Sequence, residues 1–476
     1  MTACLRVAVL GSDSSALAFT AFLKHKRKHV ILDIFPASAG LCHDIPDRGV
    51  MFSSMSLRND PKGRRAIMYL GREILGIPEK EFVVSNVKNS TKIGSEIFPS
   101  FISAVRNAAL VLEPFRGRHK SIEDISIFEF FKSRFGSGCA RRYADVISRA
   151  ITGGENSGNI SVNSIFPKMV MNAKNNSSVL LGPLLSIFSS SQNFKPSNVD
   201  VLDHLWQELM AGGKHVSFSH RLDLSVLREE LVKHVSSLPD VRVSPNEQVN
   251  SLADSYDIIV TSSHPKTVWD LMASEMSPPD WLATLCASRN TFSTRIIWEN
   301  FDGPRSPVSS IWSADTVSKV IGAICQSWVF PSESAGRLII DVFSSEHLGD
   351  AELLEFLRLK SSFPVHRDPA EIIRNSEEIP ATPLGHPDAL YQLNKYRVSK
   401  SALKSKLQFL GKWYYCPTGS LTDIIADAES LANLVVDRYA SFPAVENERS
   451  DDWINRSEKS LDLMYAEKMK SSKLSI

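Results

Sequence analysis

Apolar and polar positions change period twice within the first 35 residues. LRVAVL (5–10) is a short apolar run bounded by a glycine, which predicts a buried strand. From 15 to 27 the apolar positions Leu17, Phe19, Phe22 and Leu23 recur at helical spacing, and VILDIF (30–35) reads as a second apolar strand that ends near an acid. The pattern is strand, glycine turn, helix, strand. Farther on, helices are predicted over 61–76, 121–151, 226–235 and 421–439, the last long and amphipathic. Ser121 and Asp124 make an approximate capping box for the second of these, and Ile127, Phe130, Phe131 and Phe135 line one side of it as core. Residues 241–252 read as two short strands, and 257–272 as strand, turn and helix. Trp298, Trp312 and Trp328 fall in a mixed strand region, and the tail from Glu446 is polar and loose.

The first βαβ unit has the layout of a dinucleotide-binding turn. Gly11 supplies the sharp exit from the strand, and Asp33 follows at the spacing of about 20 residues that lets an acid at the tip of the second strand reach ribose hydroxyls. The turn itself reads Gly11-Ser12-Asp13-Ser14-Ser15-Ala16. Asp13 stands where a second glycine lets backbone approach a diphosphate, and Ala16 where a third allows close helix packing. A carboxylate facing phosphate at 4 Å costs about 1–4 kcal/mol. An aspartate there can instead turn away and cap the helix.

Composition narrows the picture little. Net charge is +1 over 476 residues, so no global field draws nucleic acid, and the run KHKRKH (24–29) reads as a solvated helix end. The six cysteines form no C-x-x-C pair and no metal pattern, which predicts free thiols. No apolar run is long enough to span a bilayer. With a strand starting near residue 5, no leader is expected ahead of the fold.

Several segments, in order, resemble the protoporphyrinogen oxidase family of the flavin amine-oxidase superfamily. SSMSLR (53–58) is similar to the family's G-P-x-S-L-R, and SIFEFFKSRFG (126–136) to S-x-x-x-F-F-x-R-R-F-G. AITGGENSGNISVNSIFP (150–167) resembles G-x-x-A-G-D-x-x-x-L-S-x-x-x-x-F-P, and IPATPLGH (379–386) resembles I-P-Q-Y-x-x-G-H. FLGKWYYCPTGSLTDIIADAESLA (409–432) is similar to the closing flavin segment. The resemblance covers nearly the whole chain. It implies an α/β fold: a Rossmann-like FAD domain of the glutathione-reductase type, assembled from discontinuous segments. An inserted α+β substrate subdomain and a helical one, a candidate to face a membrane, complete it.

The corresponding division is 1–80, 211–275 and 401–440 for the FAD domain, 81–210 for the helical subdomain, 276–400 for the substrate subdomain and 441–476 for the tail. FAD contacts then fall on Gly11, Ser12, Asp13, Ser14, Ser15, Ala16, Asp33, Gly40, Ser53, Ser54, Met55, Ser56, Val249, Gly419, Ser420, Leu421 and Asp423, with Arg58 as a carboxylate partner. No metal and no protein acid–base dyad is implied, because the flavin carries the redox chemistry. The implied reaction removes six electrons from protoporphyrinogen IX to give protoporphyrin IX, with oxygen as acceptor. The implied partners are a tetrapyrrole, a peripheral membrane surface, a second copy of the chain and a neighbouring haem-pathway enzyme. The implied location is the mitochondrial inner membrane, with the cytoplasm as the alternative.

The departures gather where the cofactor would lie. Beside Asp13 and Ala16, the family's Gly-Gly reads Ala39-Gly40, its Gly-Pro reads Ser53-Ser54, and SHRLDLS (219–225) replaces a Gly-Gly-hydrophobic segment. Ala381 and Thr382 replace the Gln and Tyr of I-P-Q-Y. A rebuilt pocket, a non-catalytic descendant without tight flavin, and another flavin amine oxidase all stay open on these residues. Trp413-Tyr414-Tyr415 is the nearest candidate for an aromatic face toward an amine.

Overall fold

The computed structural model describes residues 5–27, 29–36, 61–78, 81–85, 90–93, 96–98, 124–166, 170, 173, 217–220, 225–244, 252–272, 277–303, 308–313, 315, 318–329, 336–360, 363, 365, 367–399, 406–414 and 421–440. Two sheets organise them. The first holds five parallel strands in the order β14 (Leu407–Phe409), β8 (Ile258–Thr261), β1 (Leu5–Leu10), β2 (Val30–Phe35) and β7 (Val241–Val243). Its three central strands, β8, β1 and β2, are buried on both faces and largely apolar, as a parallel sheet covered by helices requires. One face carries α1 (Ser14–Lys26), α2 (Pro61–Tyr69), α5 (Ser225–Ser237) and α10 (Leu421–Ala440), which meet in a core containing Leu17, Phe22, Ile67, Leu231 and Ala428. On the opposite face lie α6 (Pro265–Met272), α7 (Asp280–Cys286) and α9 (His386–Ser399), packed through Trp269, Leu285 and Leu393.

The second sheet has seven strands, β13 (Glu371–Pro380), β9 (Ser288–Glu299), β12 (Arg337–Ser344), β11 (Val320–Cys325), β10 (Val308–Trp312), β4 (Ser90–Ile93) and β5 (Glu96–Phe98). It is antiparallel except for the β10–β4 pair. Two strands from the 81–210 stretch therefore complete a sheet built mainly from 288–380. α3 (Ile127–Phe135) and α4 (Asp145–Thr152) cover one face through Phe130, Ile147, Trp312 and Phe343. α8 (Asp350–Lys360) covers the other through Leu353, Leu357, Trp298 and Trp328.

Some local details differ from the sequence reading. α3 starts at Ile127, with Ser126 as its cap: Ser126 Oγ accepts the Glu129 N–H at 3.1 Å. Asp124 instead receives Ser161 Oγ, Asn163 Nδ2 and the Gly385 N–H. The basic run at the end of α1 is not wholly solvated. Lys24 is buried and donates to the Val30 carbonyl at 3.0 Å, and Lys26 reaches Asn433 at 2.6 Å. Cys139, Cys286 and Cys325 are free thiols. No helix among the described residues is long and apolar enough to cross a membrane.

Candidate functional site

β1 leads into α1 on one face of the parallel sheet, and its neighbour β8 leads into α6 on the other. The chain reverses its winding between these two strands. In open α/β sheets the crevice outside the carboxyl ends of two such strands is where ligands bind. Gly11 and Ser262 stand there, one after each strand. Gly11 has φ +117°, and a Cβ on it would overlap Ser262 Oγ, so only glycine lets the two turns meet. The Gly11 N–H donates to the Phe35 carbonyl at 2.9 Å and the Ser262 N–H to the Leu10 carbonyl at 2.9 Å.

α1 begins one residue after Asp13, which takes the extended backbone of an N-cap. Its Oδ1 accepts the Ala16 N–H at 3.0 Å and Ser15 Oγ at 2.6 Å. Ser12, Ser14, Ser15 and Ala16 are all buried. A third turn, after β14, closes over this one. Gly411 has φ +84°, and a Cβ there would lie 2.5 Å from Ser15 Oγ and 3.7 Å from Asp13 Oδ2. The Gly411 N–H donates to Asp427 Oδ2 at 3.1 Å. Burial pushes the Asp427 carboxyl up to about 7; the Gly411 N–H pulls the other way and Asp423, one turn earlier on α10, adds to the rise.

Asp33 lies two residues short of the end of β2, paired with Ala8 while Phe35 pairs with Leu10 beside the turn. Asp33 as a residue is only 4% exposed, and its carboxylate accepts Tyr256 Oη at 2.8 Å. The position at the strand tip is Phe35, packed edge-on against Tyr256 at 6.1 Å. Burial, with Asp33 second, pushes the Tyr256 phenol up to about 12. Leu421 and Asp423 open α10, in the helix whose Asp427 holds Gly411. Gly40, Ser53, Ser54, Met55, Ser56, Arg58, Val249, Gly419 and Ser420 lie outside the described residues.

Ser219 and His220 sit on β6 (Ser217–His220), which pairs with β3 (Phe82–Ser85) and with neither large sheet. Of the aromatic run after Gly411, Trp413 and Tyr414 are core, and Tyr415 lies outside the described residues. Tyr414 is fully buried, stacks on Phe409 at 4.7 Å and donates to the Ser263 carbonyl at 2.8 Å. Trp413 meets His264 edge-on at 4.5 Å. The contacts among Gly11, Ser262, Gly411 and Asp427 carry no sequence spacing that would reveal them, since they join three strands far apart in the chain.

The same region touches the seven-stranded sheet. Lys412 Nζ donates to the Glu378 carbonyl at 2.7 Å, and just past Pro380 the Ala381 N–H extends the β13–β9 ladder to the Ala287 carbonyl at 2.8 Å. Beyond Pro380, the IPATPLGH segment is fastened to the helical layer by Asp124 and by Ser164 Oγ, 3.1 Å from His386 Nδ1. Burial pushes the His386 imidazole down to about 4, so it is neutral at physiological pH.

No family model matches the sequence, and no curated protein matches it by sequence. Solved structures do match in three dimensions. A candidate protoporphyrinogen oxidase from Exiguobacterium sp. 255-15 aligns over 92% of this chain and all of its own, with a TM-score of 0.61 and 13% identity. A reduced UDP-galactopyranose mutase aligns over 93% of this chain and 96% of its own, with a TM-score of 0.56 and 11% identity. Cyclohexylamine oxidase from Brevibacterium oxydans IH-35A aligns over 92% of this chain and all of its own, at 0.54 and 12%. The chain has the fold these proteins share, a parallel Rossmann-like sheet joined to a second, mostly antiparallel one.

Proposed function

We propose that this chain is an FAD-dependent oxidoreductase of the flavin amine-oxidase type that converts protoporphyrinogen IX to protoporphyrin IX. The observation that carries the reading is the Gly11–Ser262–Gly411 junction at the reversal point of the parallel sheet. Fold likeness to a candidate protoporphyrinogen oxidase over its entire length supports it, as do the ordered family-like segments.

The residues fit a dinucleotide in part. Gly11 gives the close turn, and the N-terminus of a 13-residue helix points at the crevice. Against this, Asp13 spends the Ala16 N–H on its own carboxylate. FAD, when bound, supplies the electron acceptor for the ring oxidation. The chain's part is to hold its diphosphate at α1, to exclude water and to present the tetrapyrrole between the two sheets. The membrane surface, the second copy and the pathway partner belong to this reading as further proposals.

One specific observation favours a second reading. With Asp13 capping α1 and Asp33 tied to Tyr256, two anchor points of a dinucleotide are satisfied by the chain itself. A binding protein that kept the fold without tight flavin would look this way. The deciding assay supplies protoporphyrinogen IX and oxygen to the FAD-loaded protein and follows porphyrin fluorescence. Turnover above the spontaneous rate is expected of the oxidase, and a rate equal to the blank excludes it.

A further inference from the structure

The second residue of β9 is an arginine that the described residues leave short of partners. Arg289 pairs in register with Ile379 of β13, and its side chain is 12% exposed. Its Nε and Nη1 are enclosed, with no hydrogen bond among the described residues. The carboxylate beside it, Glu155 Oε1, stands 3.6 Å from Nη1, outside hydrogen-bond range. Burial pulls the guanidinium down to about 9, although an arginine is ordinarily charged at any pH a protein meets. A cation withdrawn from water is tolerated only with a well-made, hydrogen-bonded counter-ion. Glu155 is an incomplete one.

The place of Arg289 gives the vacancy meaning. Its neighbour Ser288 donates to the Glu378 carboxylate, and the Glu378 carbonyl takes the Lys412 ammonium. Lys412 follows Gly411, whose backbone lies against Ser15 and Asp13. The guanidinium therefore sits one strand in from the edge where the seven-stranded sheet meets the nucleotide-type turn. On its other side, Gly153 and Gly154 have φ +72° and +128° and press the end of α4 onto Thr291, Ile379 and Ser345.

We infer that Arg289 anchors a carboxylate of the ligand, held between the seven-stranded sheet and the helical layer. On the tetrapyrrole reading above, on which this rests, that group is a ring propionate. The planar fork of a guanidinium matches a carboxylate through two parallel hydrogen bonds. Glu155 already offsets part of the charge, so one further negative charge is accommodated and the two of a diphosphate are not. The cofactor's phosphates are thereby assigned elsewhere, to the end of α1.

The test is a fluorescence titration of the full chain with protoporphyrin IX and with its dimethyl ester, beside a titration with FAD. The unaltered protein is expected to prefer the diacid by about tenfold or more, the loss expected when a charged hydrogen-bond pair goes unmade. Arg289→Met removes that preference while ester and FAD affinities stay put, and Arg289→Lys keeps part of it. Glu155→Gln keeps or strengthens it, because a competing carboxylate is gone. Several outcomes overturn the assignment: an Arg289→Met variant that still prefers the diacid, a Glu155→Gln variant that loses the preference as fully as Arg289→Met, or FAD affinity that falls with Arg289→Met. Binding of neither porphyrin to the unaltered chain overturns this inference together with the tetrapyrrole reading, whereas retained preference in Arg289→Met overturns this inference alone.

Discussion

Asp427 offers a prediction whose sign and size follow from its surroundings. Its carboxyl lies between α10 and the Gly411 turn, accepts one N–H and has Asp423 for a neighbour. A group with an ordinary value of 3.8 that titrates near 7 in the folded chain prefers to be protonated there. Below about pH 4 both folded and unfolded chains hold the proton and there is no cost. As pH rises toward 7 only the folded chain still holds it, and stability falls. Above 7 the loss is complete, with a ceiling of about 4 kcal/mol by proton linkage. The residue is partly exposed, which brings the expected cost to about 1–2 kcal/mol. Asp427→Asn keeps an acceptor for the Gly411 N–H and removes the charge. Urea unfolding followed by tryptophan fluorescence should show the variant close to the unaltered chain at pH 4 and below, ahead of it by about a third of that amount at pH 5, and more stable by the full amount at pH 8. Parallel stability profiles across this range would refute the reasoning.

Other substitutions probe the same junction. Gly411→Ala forces a Cβ against Ser15 Oγ at a left-handed φ, so unfolding free energy should drop by about 2–4 kcal/mol, and an unchanged urea midpoint would mean the turn can shift aside. Tyr256→Phe strips the buried Asp33 carboxylate of its hydroxyl donor and should cost about 1–3 kcal/mol in the same assay, with a loss below half of that placing solvent at Asp33. Asp13→Gly deletes a charge at the helix end while costing only a few tenths of a kcal/mol as a cap, so FAD affinity measured by calorimetry should rise about tenfold or more.

What the sequence discloses and what it conceals divide along physical lines. The βαβ unit is legible because a strand, a glycine and a 3.6-residue period follow one another within 31 residues, from Leu5 to Phe35. The register of β2 against β1 is not, because VILDIF is apolar on both faces but for Asp33, which is itself buried, so no alternation marks which residue reaches the tip. Asp33 consequently reads as a ribose acid at its spacing but lies at Ala8, inside the sheet. Asp13 could be read as an adverse charge or as a cap, and the geometry of Ser15 and Ala16 decides for the cap. The α3 start reads too early in the sequence because Ser121 and Asp124 imitate a capping box, whereas Ser126 and Glu129 make the N-cap contact. The pairing of β4 with β10 joins residues more than 200 apart and leaves no local trace. Arg289, too, reads only as a polar residue opening a strand; its isolation is a property of what surrounds it.

The measurement closest to the central claim is calorimetric titration of FAD into the unaltered chain and into Asp13→Gly. Binding by both, at one site per chain and tighter in the variant, is the predicted result and places the diphosphate at the end of α1. Absence of binding in both would contradict the account, leaving a flavoprotein fold whose crevice is filled by its own side chains.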